Sequence, residues 1–200
     1  MTLIINKLKK EEVLTSYNFA RNSDIVFSET VTHKQFQKLN IDNNLKIVFK
    51  NSYSILYVKK RFKLEENMII FTNTYLLKNL FDLLKNIKSL KNIKIITHQT
   101  DLPITKSLYN SRPNCISEWY SINVDHENKN LIPIPLGLSN YYSPKNLFKE
   151  NFADLNMNNS AKLKLYMNYK TNTNYKERKN LSKEISKNDW VVTQSHHRNI

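Results

Sequence analysis

The stretch MIIFTNTYLLKNLFDLLKNIKSLKNIKIITH, residues 68–98, decides how this chain folds. Met68-Ile69-Ile70-Phe71 is a continuous apolar run of strand length, and the oxygens of Thr72-Asn73-Thr74 are suited to capping a helix. Over 75–89 the period changes. Leu76, Leu77, Leu80, Phe81, Leu84 and Ile87 recur at spacings of three and four, which makes one helical face apolar and leaves the lysines on the other. Ile93-Lys94-Ile95-Ile96 is the next strand. A helix-length crossover between two strands implies that they pair in parallel, since antiparallel neighbours need only a tight turn.

Working outward, the alternation continues through a polar loop His98–Asp101, a short helix near 103–110 and a strand Cys115–Tyr120. Leu131-Ile132-Pro133-Ile134-Pro135 follows, and its two prolines remove ladder donors, so it is expected at a sheet edge or as an extended segment. The fold class is α/β, a Rossmann-like parallel sheet with helices across its faces. Such sheets bind ligands at the carboxyl ends of their strands, which directs attention to the loops 72–74, 97–102, 120–128 and 136–143. Before residue 66, Asp24–Ser28, Leu45–Phe49 and Ser54–Val58 read as strands and Lys34–Leu39 as a helix.

A helix is expected at 144–155, and the polar run Asn156-Met157-Asn158-Asn159-Ser160 reads as a linker. Beyond it come a strand Leu163–Met167, a loop 168–174, a helix 175–187 and a strand Trp190-Val191-Val192. The expected organisation is an α/β domain over 1–155, a linker over 156–160, and the first βαβ unit of a second Rossmann-like domain over 161–200. One such unit of 40 residues cannot cover both faces of its own sheet.

Composition narrows the function classes. With a single glycine, Gly137, the chain can contain neither a GxGxxG dinucleotide fingerprint nor a P-loop. Its one cysteine, Cys115, has no partner for an internal disulfide, and no Cys/His spacing matches a structural zinc site; His126 and His196-His197 lack a third ligand. No apolar run reaches membrane-spanning length and the start does not resemble a signal peptide, so the chain reads as cytoplasmic. The net charge of +14 is uneven, at +9 over 1–100, −1 over 101–160 and +6 over 161–200. Asparagine supplies 29 residues, a bias that AT-rich coding produces along with lysine, so charge alone does not argue for nucleic acid. The densest basic run, Lys59-Lys60-Arg61-Phe62-Lys63, reads as a solvated edge or as a contact to an anionic lipid or polymer.

Two loops can carry chemistry. In Thr97-His98-Gln99-Thr100-Asp101, His98 can accept a proton from a sugar hydroxyl, while Asp101 can orient it or act as the base; equally, both residues suit an ordinary turn. In Asn168–Arg178 a strand passes to a helix whose N-terminus, with Arg178 and Lys179, can face an anion; Thr173 or Asn174 can also simply cap that helix, with Glu177 completing a capping box. Trp119, Tyr120, Tyr141 and Tyr142 lie at or after strand ends, where aromatic rings stack on sugars or anchor cores.

In order and spacing, THQTDLPI (97–104), WYSINVDHENKNLIPIPLGLSN (119–140) and LYMNYKTNTNYKERK (165–179), followed by Trp190, resemble exostosin-like glycosyltransferases of bacteria and large viruses. More distantly they resemble the catalytic domain of ribitol-phosphate xylosyltransferase. The resemblance spans about residues 68–193 and implies a GT-B enzyme: two Rossmann-like domains moving a sugar from a nucleotide-sugar to a carbohydrate, phosphate-bearing or lipid-linked acceptor, without a bound metal or other cofactor. By resemblance His98 and Asp101 are catalytic. Trp119, Asn123, Gly137 and Asn140, together with Asn168, Thr173, Arg178 and Lys179, bind substrate. The glycine- and arginine-containing donor motif that the family carries later in its chain has no counterpart before Ile200, so the sequence is expected to stop short of it. Contact with the inner surface of a membrane fits a lipid-linked acceptor, and no specific nucleic acid is expected. The alternatives are a non-enzymatic basic α/β module that binds an anionic polymer or nucleic acid, and an inactive remnant.

Overall fold

A computed structural model describes residues 13–143, 165–167 and 175–193. The chain divides into two compact units, Ile4–Ala153 and Asp154–Ile200 with Met1–Leu3. The expected helix 144–155, the linker 156–160 and the loop 168–174 lie outside the described residues, as do the site candidates Asn168 and Thr173.

The first unit is built on five parallel strands, β1 (Ile25–Val26), β5 (Ile69–Asn73), β6 (Ile93–His98), β7 (Ile116–Ser121) and β8 (Leu131–Pro133), ordered β1-β5-β6-β7-β8. This is the Rossmann-like α/β sheet expected, with the proline-containing β8 at its edge. Register aligns Ile25, Ile70, Ile95, Trp119 and Leu131 in one row across all five strands. Each of these is buried, and α3 (Leu77–Lys85) lays Leu77, Leu80, Phe81 and Leu84 against them. Such a dry, two-layer core follows from apolar strand runs opposite an apolar helical stripe. A 3-10 turn, Thr74–Leu76, precedes α3 because the Asn73 side chain accepts from the Tyr75 N–H at 3.0 Å, so regular helix begins later than the periodicity suggested. The short α4 (Lys106–Asn110) adds Tyr109 to the same core.

The amino-terminal part departs from a simple extension of this sheet. The strand expected over Asp24–Ser28 breaks at Phe27, whose N–H donates to Phe71 of β5 while its carbonyl accepts from Lys59. Beyond that hinge, β2 (Ser28–Val31) enters a separate antiparallel sheet, β2-β4-β3, with β3 (Leu45–Lys50) and β4 (Ile55–Lys59). Asn51 makes the β3–β4 turn by accepting from the Tyr53 and Ser54 N–H groups, both at 2.8 Å. Two helices complete the region. α1 (Ser16–Arg21), which periodicity did not announce, is capped by Thr15, and α2 (His33–Leu39) by Thr32.

In the second unit β9 (Leu165–Met167) pairs in parallel with β10 (Val191–Thr193), joined through α5 (Tyr175–Ile185), as the expected βαβ pattern requires. No helix among the described residues is long and apolar enough to cross a membrane.

Candidate functional site

A cavity of about 450 Å³ opens where the parallel strands deliver their carboxyl ends. His98 ends β6, and Gln99, Thr100 and Asp101 follow it. Leu136–Asn140 come in after β8, Ile122 after β7, Tyr75 after β5, and Ser16 from the start of α1. Four residues singled out in the sequence, His98, Asp101, Gly137 and Asn140, therefore meet in one place although two segments about 40 residues apart supply them.

Gln99, which the sequence reading passed over, organises this place. Its φ of 71° is left-handed, a conformation that costs a residue with a Cβ and persists only where the surroundings enforce it. Its side-chain amide does so by imitating a strand partner: Oε1 accepts from the Thr30 N–H at 2.7 Å and Nε2 donates to the Thr30 carbonyl at 3.0 Å. The same amide reaches Ser16 Oγ at 3.3 Å, and Asn73 Nδ2 lies 3.0 Å from Thr30 Oγ1. The antiparallel sheet, α1 and the ends of β5 and β6 are thus joined through two amides, those of Gln99 and Asn73. Periodicity carries no trace of such a link, and a polar residue straight after a strand was its only signal.

His98 is 2% exposed, with the Phe19 ring of α1 at 5.7 Å between centroids. The Gln99 N–H donates to Nδ1 at 2.8 Å, and burial pulls the imidazole down to about 4, from the ordinary 6.5. The expected orientation of the ring by Asp101 is not what the structure has. The His98 ring is oriented by its neighbour's main chain, and the Nδ1 lone pair is already engaged. Asp101 is exposed at the cavity wall and is the only carboxylate in the lining.

Gly137 has a φ of 75°, and a Cβ there would be driven into the Leu14 carbonyl. The lone glycine lets the incoming chain lie against α1's lead-in, where the Leu138 N–H donates to Leu14 at 2.8 Å. Asn140 fastens the next turn by accepting from the Tyr17 N–H at 2.7 Å and pairing with Ser16 Oγ. Both residues shape the cavity wall. Asn123 lies outside the lining, its amide donating to the Thr100 carbonyl at 2.7 Å, so it holds the loop after β6.

Trp119 is a correction. It is fully buried, its indole N–H donates to Thr97 Oγ1 at 2.8 Å, and its ring sits between Phe81 and Tyr109. No face is left for a ligand, and its place in the apolar row of the sheet explains why. Tyr120 donates to Glu118 at 2.6 Å, whereas Tyr141 and Tyr142 form an edge-on cluster with Tyr17. In the second unit Arg178 and Lys179 lie on the first turns of α5, as expected. The Lys179 ammonium is exposed and donates to the Tyr175 hydroxyl at 2.7 Å, and Arg178 is half-buried. Among the described residues no group of three or more His, Cys, Asp or Glu is placed to hold a metal ion.

No family model matches this chain, and no curated protein matches it.

Proposed function

We propose that the chain acts in glycosyl transfer of the GT-B type, and that the carboxyl-end cavity holds the acceptor. The observation that carries this reading is the convergence of His98, Asp101, Gly137 and Asn140 on one cavity at the carboxyl ends of a parallel sheet. In the reaction an acceptor hydroxyl attacks the anomeric carbon of a nucleotide-sugar. The new glycosidic C–O bond forms as the bond to the diphosphate breaks, the nucleoside diphosphate leaves, and Asp101 takes the hydroxyl proton. Arg178, Lys179 and the start of α5 are the groups suited to the diphosphate charge. No resident cofactor enters this scheme, and a lipid-linked acceptor would bring the protein to a membrane surface. The test is release of nucleoside diphosphate from a panel of nucleotide-sugars offered with glycan acceptors. Asp101→Asn should cut turnover about 10²–10⁴-fold with an unchanged circular dichroism spectrum. Equal rates for the variant remove the assignment of the base.

One observation favours the second reading, a module for anionic polymers. A separate cavity of about 610 Å³ near the amino ends of β6 and β7 is lined by Lys85, Lys88, Lys91 and Arg112 and by no carboxylate. Arg112 is held over the Tyr109 ring at 3.8 Å. If this face binds polyanions, affinity for RNA or DNA should fall linearly in log–log terms with salt and should drop in Arg112→Ala. Absence of binding at about 50 mM salt rejects it.

A further inference from the structure

The His98 ring has two nitrogens in different circumstances. Nδ1 accepts the Gln99 N–H, so it holds a lone pair and no proton, and a neutral imidazole then carries its single proton on Nε2. Nε2 is buried and makes no hydrogen bond of ordinary length and angle, although the Leu136 main chain is close enough to favour the protonated ring. A buried donor without an acceptor is costly, and proteins retain few of them. This one belongs to a residue that lines the cavity. Its tautomer is fixed by backbone, since the left-handed conformation of Gln99 accompanies the N–H contact to the ring and the Thr30 pairing holds that conformation.

The rest of the lining completes the chemistry. Hydroxyls and amides of Ser16, Thr100, Ser139 and Asn140 surround the space, Asp101 is its one formal charge, and no lysine or arginine contributes. Of the groups facing His98 from the packed elements, Phe19 on α1 is apolar, and Tyr75 and Asp101 are the other titratable groups of the lining. Such a wall suits a neutral, oxygen-rich ligand and disfavours an anion, for which it offers a like charge and no counter-charge.

We infer that His98 serves this cavity as a neutral hydrogen-bond donor, offering Nε2–H to an acceptor oxygen of an uncharged polyhydroxyl ligand, and that the cavity discriminates against phosphorylated ligands. The inference rests on the acceptor-site reading above and makes His98 a determinant of specificity in place of a proton acceptor. Since burial holds the imidazole near 4, the donor persists across the neutral range.

The test is nitrogen-15 NMR of the imidazole groups in the full chain, with maltose and glucose 6-phosphate as probes at low ionic strength. His98 should show the Nε2–H tautomer unchanged from about pH 5.5 to about pH 8. Maltose should move the Nε2 resonance, and the sugar phosphate should bind at least about tenfold more weakly, a gap that Asp101→Asn narrows. His98→Leu should lose maltose binding, whereas His98→Gln, whose amide can still donate from a similar position, should recover part of it. An Nδ1–H tautomer, titration near 6.5, an Nε2 resonance indifferent to maltose, or tighter binding of the phosphate each overturns the proposal. Because binding is read without donor sugar, a protein that responds to maltose but transfers nothing breaks only the transferase reading. Active transfer with an unresponsive His98 breaks only this one.

Discussion

The two sheets of the first unit are held together by opposite means. Across the parallel sheet the row Ile25, Ile70, Ile95, Trp119 and Leu131 is buried under α3, and the stabilisation comes from apolar area removed from water. The antiparallel sheet has a small apolar cluster of Val31, Phe36, Ile55 and Tyr57, and beside it an ion pair. Glu29 on β2 is fully buried against Arg21 of α1 and accepts the Tyr57 hydroxyl at 2.8 Å. One sheet supplies a rigid floor and the other supplies position, since Gln99 fixes the cavity by bonding to Thr30, the residue after Glu29. The directional interactions lie beside the cavity, and the non-directional ones lie beneath it.

Removing the centre of the apolar row should have the largest effect. Trp119→Ala, which empties the space between Phe81 and Tyr109, is expected to cost about 3–5 kcal/mol in urea denaturation. A cost near 1 kcal/mol would mean that the row is not the main support.

The polar counterpart is Arg21→Ala, expected to cost about 3 kcal/mol at neutral pH because the buried Glu29 carboxyl loses its counter-charge and must either stay ionised without a cation or take up a proton. Its pH dependence has a definite sign. Burial already pushes the Glu29 carboxyl above its ordinary 4.5, opposed by Arg21 and the Tyr57 hydroxyl. With a raised folded value, the folded state holds this proton more tightly than the unfolded chain does. The group therefore favours folding at low pH, and that contribution is lost as pH rises through the folded value. Without Arg21 the folded value rises further, so the penalty of the variant should be largest near pH 8 and shrink as pH falls towards about 4.5. A penalty independent of pH would show that the pair acts through packing alone.

The same contrast explains what could be read from the sequence. The parallel sheet was legible because apolar runs and a three-four stripe report burial directly, as in Ile69–Phe71 and Leu77–Leu84. The cavity was half legible: THQTD and the Gly137 turn marked loops that the structure brings to one cavity, because strand ends in such sheets converge at one edge. The roles within them were not. Whether His98 accepts or donates depends on the backbone angle of Gln99, and whether Trp119 faces ligand or core depends on strand parity in the finished sheet. In the antiparallel sheet the strands Leu45–Phe49 and Ser54–Val58 were legible, matching β3 and β4 to within a residue at each end, but their arrangement was not. The placement of that sheet depends on a sheet switch at Phe27 and on long-range pairs such as Thr30 with Gln99, neither of which has a periodic signature.

Gly137→Ala sharpens the comparison where the two regions meet. Left-handed backbone and the Leu14 carbonyl both oppose a methyl group, and the expected loss is about 2 kcal/mol. The loss should come with weaker ligand binding at the cavity, because the Leu138–Leu14 bond and the Asn140 tether follow directly in the chain. A stability loss with intact binding would separate the wall from the site.

The smallest stability effect is expected on β3, the edge of the antiparallel sheet. Ile47, Val48 and Phe49 are 43%, 48% and 57% exposed, so little area is lost from the core when they are trimmed. Phe49→Thr should change stability by less than about 0.5 kcal/mol. What an apolar edge strand threatens is pairing with another chain, and β3 carries two of the usual defences. Its register shifts between Ile47 and Phe49, and lysines stand at 46 and 50. Replacing both lysines with valine should therefore leave the denaturation midpoint nearly unchanged while light scattering reports association. If Phe49→Thr instead costs as much as Trp119→Ala, β3 is covered by a partner, and the contrast between a dry sheet and a wet one fails at this edge.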